Sequence, residues 1–84
     1  MQLIIRYTHA DPATFRTAFD ADAEDRGRNG MTLLQLWRED DGHSWALFQV
    51  GNPRAARDYL DGAAAVFHAQ AGVSATDAHF VETV

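Results

Sequence analysis

Hydrophobic and polar positions change period several times along the chain, and each change predicts an element. Leu3-Ile4-Ile5-Arg6-Tyr7-Thr8 is rich in β-branched and aromatic residues and predicts a first strand. Asp11-Pro12 then gives a helix start, with Asp11 as N-cap and Pro12 in the first helical position. Phe15, Ala18, Phe19 and Ala23 recur at helical spacing, with Arg16, Asp20 and Glu24 opposite. Asp22 falls on the apolar side, so the buried part of this helix thins out in its last turn, and Gly27 is the expected stop. Residues 32–39 and 44–50 predict two strands joined by an acidic turn. Asn52-Pro53 caps a second helix whose apolar stripe is Ala56, Tyr59, Leu60, Ala63, Phe67 and Ala71. Arg54–Asp58 and Arg57–Asp61 are spaced for ion pairs on its wet side. Gly62 is a point where that helix can break, Gly72 closes it, and Thr76 to Val84 predicts the last strand.

The resulting order is βαββαβ. Its simplest packing is an α+β, ferredoxin-like domain over residues 1–84: a four-stranded antiparallel sheet with both helices on one face.

The turn sets which residues share a face. A three-residue loop, Asp40-Asp41-Gly42, with a left-handed glycine bulge pairs Glu39 with His43 and sets Trp37 across from Trp45. Leu34, Leu36, Ala46, Phe48 and Val50 then line the helix-covered side with Leu3, Ile5 and Phe80. The helix-free side carries Ile4, Arg6, Thr8, Leu33, Gln35, Trp37, Trp45, Leu47, Gln49, His79 and Val81. That face is half apolar, and burying one indole removes ~150–250 Å² from water, an upper bound of about 4–6 kcal/mol. A face of this kind calls for a cover.

The segments WREDDGHSWALFQVGNPRAARDYL and AGVSATDAHFVETV resemble small members of the dimeric α+β barrel superfamily. The resemblance spans nearly the whole chain and implies that a second copy covers the helix-free face, two sheets closing into a barrel. Relatives of this kind include stress-responsive, cyclase-like and monooxygenase-like proteins. No catalytic signature of the monooxygenase type is matched residue by residue, so the resemblance carries over no reaction.

Composition narrows the chemistry. With 84 residues the chain buries about 60–65% of its unfolded surface, so a partner adds substantially to stability. The net charge of −5 argues against nucleic acid and anionic membranes as partners. Cysteine and lysine are absent, which removes thiolate nucleophiles, Cys-ligated metals and Schiff-base chemistry. The short apolar run at the start predicts neither a signal peptide nor a span, and the expected compartment is the cytoplasm.

Phosphate loops, zinc-protease helices and serine nucleophile elbows are absent. Asp20 to Asp25 opens like a calcium loop but has Asp25 at its sixth position and Met31 at its twelfth, so it reads as a solvated helix end offset by Arg26 and Arg28. The four histidines do not converge on a metal site. His9, His43 and His68 are expected at the surface. His79 lies on the same face as Arg6 and the tryptophans and is the one candidate proton acceptor. Arg6, Gln35, Trp37, Trp45, Gln49 and His79 form the candidate ligand-binding set, with no metal and no cofactor implied. Four polar groups on one face are too many for a dry interior, since each costs about 1–3 kcal/mol if buried unpaired. Three functional readings follow: a homodimer holding a small, largely apolar molecule between its sheets, a cofactor-independent monooxygenase- or cyclase-like enzyme, and a structural or regulatory dimer with a filled interior.

Overall fold

A computed structural model describes all residues from Met1 to Val84. The elements are β1 (Gln2–His9), α1 (Pro12–Ala21), α2 (Ala23–Arg28), β2 (Met31–Asp40), β3 (His43–Val50), α3 (Pro53–Asp61), α4 (Ala64–Ala71) and β4 (Val73–Val81). The strands form one antiparallel sheet in the order β2-β3-β1-β4, the ferredoxin-like arrangement.

Both helical segments begin as the sequence predicts. Asp11 accepts a hydrogen bond from the Thr14 amide at 2.9 Å, and Asn52 accepts one from the Ala55 amide at 3.1 Å, each ahead of a proline that lacks the orphan N–H. Each segment is then broken in two. The second breaks at Gly62, and the break advances the apolar stripe by one residue, so Ala64 is buried and Ala63 exposed. The first breaks at Asp22, and the chain stays helical through Gly27 to Arg28.

Every second residue of β1 (Leu3, Ile5, Tyr7 and His9) faces the helices. Together with Ala46, Phe48 and Val50 these residues meet Phe15, Phe19, Ala56, Tyr59, Ala64, Phe67 and Ala71, and Met31 completes the buried set. Tyr7 packs edge-on against Phe19 and Phe67, with ring centroids at 6.2 and 6.0 Å.

Arg26 departs from the expected solvated helix end. Its guanidinium is buried, lies 3.9 Å above the Phe19 ring, and donates from Nη1 to the Phe19 carbonyl at 2.7 Å. Asp22 stands 3.6 Å from it and accepts the Tyr59 hydroxyl. Where α1 breaks, carbonyls lose their helical partners, and Arg26 supplies one. The predicted pairs Arg54–Asp58 and Arg57–Asp61 are not formed. Arg57 instead stacks 4.0 Å over the Phe80 ring of β4.

Two glycines act through left-handed backbone. Gly72 (φ +69) turns the chain from α4 straight into β4, which therefore starts at Val73 rather than Thr76, and its pairing with β1 ends at Val81. Gly30 (φ +75) brings α2 into β2, and a Cβ there would stand 2.9 Å from the Asn52 amide nitrogen.

Candidate functional site

Register places the helix-free face. Trp37 pairs directly with Trp45, Gln35 with Leu47, Ile4 with both Leu47 and His79, and Arg6 with both Trp45 and Asp77. Cross-strand partners share a face, so Arg6, Gln35, Trp37, Trp45, Gln49 and His79 lie on one side, away from the helices. Two bulges in β2 correct the details of the expected register. One falls between Leu33 and Gln35, which aligns Leu33 with Phe48 and leaves Leu34 unpaired. Leu33 is thereby moved off the helix-free side, and Leu34 is exposed instead of lining the core. The other falls between Arg38 and Asp40, so Asp40 rather than Glu39 pairs with His43 across a tight Asp41-Gly42 turn. Gly42 has no positive φ, so the turn is not the expected left-handed glycine bulge.

The second bulge frees Glu39 to become the hub of this face. Arg6 donates from Nε to Glu39 Oε1 at 3.0 Å and from Nη2 to Oε2 at 2.9 Å, a two-pronged pair. Trp45 donates its indole N–H to Oε1 at 2.6 Å, and Arg6 stands 5.8 Å from the Trp45 ring centroid. Hydrogen bonds from Arg6, then from Trp45, hold the Glu39 carboxyl down to about 2. The same contact raises the Arg6 pKa above its ordinary value. Glu39 was absent from the residues expected on this face. Strand alternation carried two positions past Trp37, still within the expected strand 32–39, reaches it.

Asp77 is the second unforeseen member. It pairs with Arg6 in the sheet, and its Oδ1 lies 2.9 Å from His79 Nε2. A carboxylate on one ring nitrogen orients an imidazole and leaves Nδ1 to meet another group. His79 remains exposed. Gln49 donates to the Met1 carbonyl at 3.2 Å, and the Gln35 amide lies 3.5 Å from the Leu36 carbonyl, so Gln35 keeps most of its capacity free.

Between these polar groups the face is apolar. Trp37 is 44% exposed and Val81 42%, with Ile4, Leu47 and Trp45 half-buried. Of the residues on this face only Trp37 borders any of the three clefts in the molecule; the largest, about 490 Å³, runs between α1 and α4 past Thr14, Thr17 and Gln70. Donor atoms of Glu39, Asp40 and His43 converge within 4.8 Å. Glu39 is already committed to Arg6 and Trp45, and Asp40 accepts from the Gly42 amide and bonds His43 at 2.7 Å, so these groups satisfy one another.

The other histidines sit apart. His9 is buried rather than at the surface: its ring stacks on Phe15 at 4.5 Å and its Nε2 lies 2.9 Å from Ser44 Oγ. The alternation of β1 carries it inward, one step beyond the expected end of the strand. Burial lowers its pKa. His68 is half-buried beside Phe67, and burial lowers its pKa as well.

No protein-family model and no curated protein matches the chain. Among solved structures it is similar to SnoaB, a cofactor-independent oxygenase from Streptomyces nogalater, with 25% identity, a TM-score of 0.68, and coverage of 99% of this chain and 92% of that one. A candidate antibiotic biosynthesis monooxygenase from Deinococcus radiodurans shares 14% identity at a TM-score of 0.65, covering 100% and 95% of the two chains. The C-terminal domain of MgtC from Mycobacterium tuberculosis matches at 20% identity and a TM-score of 0.62 over 93% and 84%. No helix is long and apolar enough to cross a membrane. With its β2-β3-β1-β4 sheet, its helices on one side and these structural likenesses, the chain has the fold of the dimeric α+β barrel superfamily.

Proposed function

We propose that the protein is a homodimer joined through its helix-free sheet face and that it holds a small, largely apolar molecule between the two sheets. The carrying observation is the 44% exposure of Trp37 beside Ile4, Leu47 and Val81. Covering that share of an indole contributes about 2–3 kcal/mol, less than a fully exposed ring because Trp45 and the sheet already bury the rest. The polar groups argue for a lined space rather than a dry seam. Arg6 and Glu39 satisfy each other, whereas Gln35 and the outer nitrogen of His79 are left to meet a ligand, water or the second copy. Native mass spectrometry tests this directly. The expected result is a dimer carrying a small-molecule adduct when desalted gently, and a monomer without adduct is the contrary result.

A second reading, cofactor-independent oxygenation, is favoured by the likeness to SnoaB over nearly the full length of both chains. In that reading His79, oriented by Asp77, takes a proton from the substrate, and Arg6 and Gln35 anchor it. His79→Gln then abolishes turnover and leaves the dimer intact. Turnover that survives the substitution removes His79 as the base.

A further inference from the structure

On the other side of the sheet, at the hairpin end, a cleft of about 140 Å³ lies between the start of α1 and the edge strand β2. Phe15 and Leu36 give it apolar walls, Arg16, Arg38 and Ser44 give it polar ones, and Trp37 adds to its lining along β2. Arg38 and Ser44 are cross-strand partners, so both point to this side. The geometry points to a binding site for a small ring-bearing carboxylate, with Arg38 meeting the anion, Ser44 donating to it, and the ring between Phe15 and Leu36.

Charge makes the first part of the case. Arg16 is already paired with Asp20 at 2.9 Å, and Asp11 is committed to the Thr14 amide and hydroxyl. Arg38 has no carboxylate within ion-pairing distance, and none of its donors is used by the protein. It is a free, planar cation suited to two-pronged recognition of a carboxylate.

The second part is the buried His9–Ser44 pair. Burial keeps His9 neutral at neutral pH, so it carries one N–H. Nδ1 is buried without any partner, while Nε2 meets Ser44 Oγ at 2.9 Å. A proton on Nδ1 would leave a buried donor unsatisfied, the rarer and costlier defect. The proton therefore sits on Nε2, His9 donates to Ser44 Oγ, and the serine hydrogen is turned away from the imidazole. Ser44 is thus a donor held by a buried, stacked ring. That polarity suits an anion and does not activate Ser44 as a nucleophile.

Size makes the third. An apolar cavity of about 150 Å³ holds benzene. A cleft of about 140 Å³, open and with Arg16, Arg38 and Ser44 among its walls, takes part of one such ring against Phe15 and Leu36 and leaves its carboxylate at Arg38. Neither the dimer nor a molecule between the sheets is needed for this site, because Arg38 and Ser44, which meet the anion, lie on the helix-covered side.

Benzoate, added to the full chain and followed by amide shifts, tests it. The expected result is saturation below about 10 mM, with shifts centred on Ser44, Arg38 and Arg16, and no such shifts with the neutral isostere benzamide. Arg38→Gln weakens binding tenfold or more while Arg54→Gln, a cation remote from the cleft, leaves it unchanged. Raising salt from about 0.02 to 0.5 M weakens benzoate binding without any substitution. Absence of saturable shifts, equal shifts with benzamide, equal affinity in Arg38→Gln, or no salt dependence would each overturn the assignment.

Discussion

Replacing Arg26 by alanine tests whether a buried guanidinium holds the broken first helix against the sheet. The side chain is 5% exposed, donates to the Phe19 carbonyl at 2.7 Å, lies 3.9 Å over the Phe19 ring, and faces an Asp22 side chain only 13% exposed. A hydrogen bond from a charged group contributes about 1.5–3 kcal/mol, and a desolvated cation over an aromatic face about 2. These contributions overlap. Removing one partner of a buried pair typically costs about 3–5 kcal/mol, because the other charge is left behind. That is a large part of the ~4–12 kcal/mol expected for 84 residues. Urea denaturation at one fixed protein concentration, chosen so that any self-association contributes equally, reads the loss. The expected result for Arg26→Ala is a loss of about 3–5 kcal/mol and a Tm lower by about 12 °C or more. Asp22→Asn combined with Arg26→Met removes both charges and recovers about 1–2 kcal/mol relative to Arg26→Met alone. A loss below about 1 kcal/mol, or no recovery in the double variant, refutes the reasoning.

Other consequences are equally measurable. Glu39 in the folded chain is held down to about 2 from its ordinary 4.5, so its stabilising contribution is complete above pH 4.5 and disappears as pH falls through about 2. In Arg6→Gln its carboxyl signal should titrate closer to 4.5, and a midpoint still near 2 would show that Arg6 is not the cause. Burial lowers the His9 pKa below 6.5, so its neutral form stabilises the fold above pH 6.5 and that support is lost as pH drops through the lowered value. Ring-proton titration should find His9 less than half charged at pH 6.5, and a ring half-charged or more there contradicts its burial. Gly30→Ala forces a Cβ to within 2.9 Å of the Asn52 nitrogen at φ +75, and thermal denaturation should show a loss of about 1–3 kcal/mol; an unchanged Tm would mean that the β2 entry relaxes freely.

Much of the architecture is legible in the sequence because it rests on local rules. The two caps that precede prolines and the break at Gly62 follow from capping and helix propensity. The Trp37–Trp45 pairing holds although the expected three-residue loop does not form, because the bulge at Glu39 restores the register. What escapes is non-local or costs an insertion. A bulge moves a residue without leaving a mark on composition, so Leu33 leaves the helix-free side and Leu34 is exposed instead of lining the core. Arg26 and His9 escape for another reason: polar residues are assigned to water unless a specific buried partner is known. Their partners, the Phe19 carbonyl and Ser44, are seven and thirty-five residues away. Asp77 lies two residues before His79 inside the expected last strand, so alternation alone puts it on the same face, and its role emerges only from its pairing with Arg6 and its contact with His79.

Sedimentation equilibrium of the intact chain at low micromolar concentration, alongside Leu47→Arg, addresses the covered face most directly. Leu47 lies in the middle of the helix-free side, paired with Ile4 and Gln35, so an added charge there opposes face-to-face packing and leaves the helix-side core untouched. The predicted outcome is twice the 9.3 kDa chain mass for the unaltered protein and a single chain mass for the variant. A monomeric unaltered protein, or a variant that remains dimeric, contradicts it.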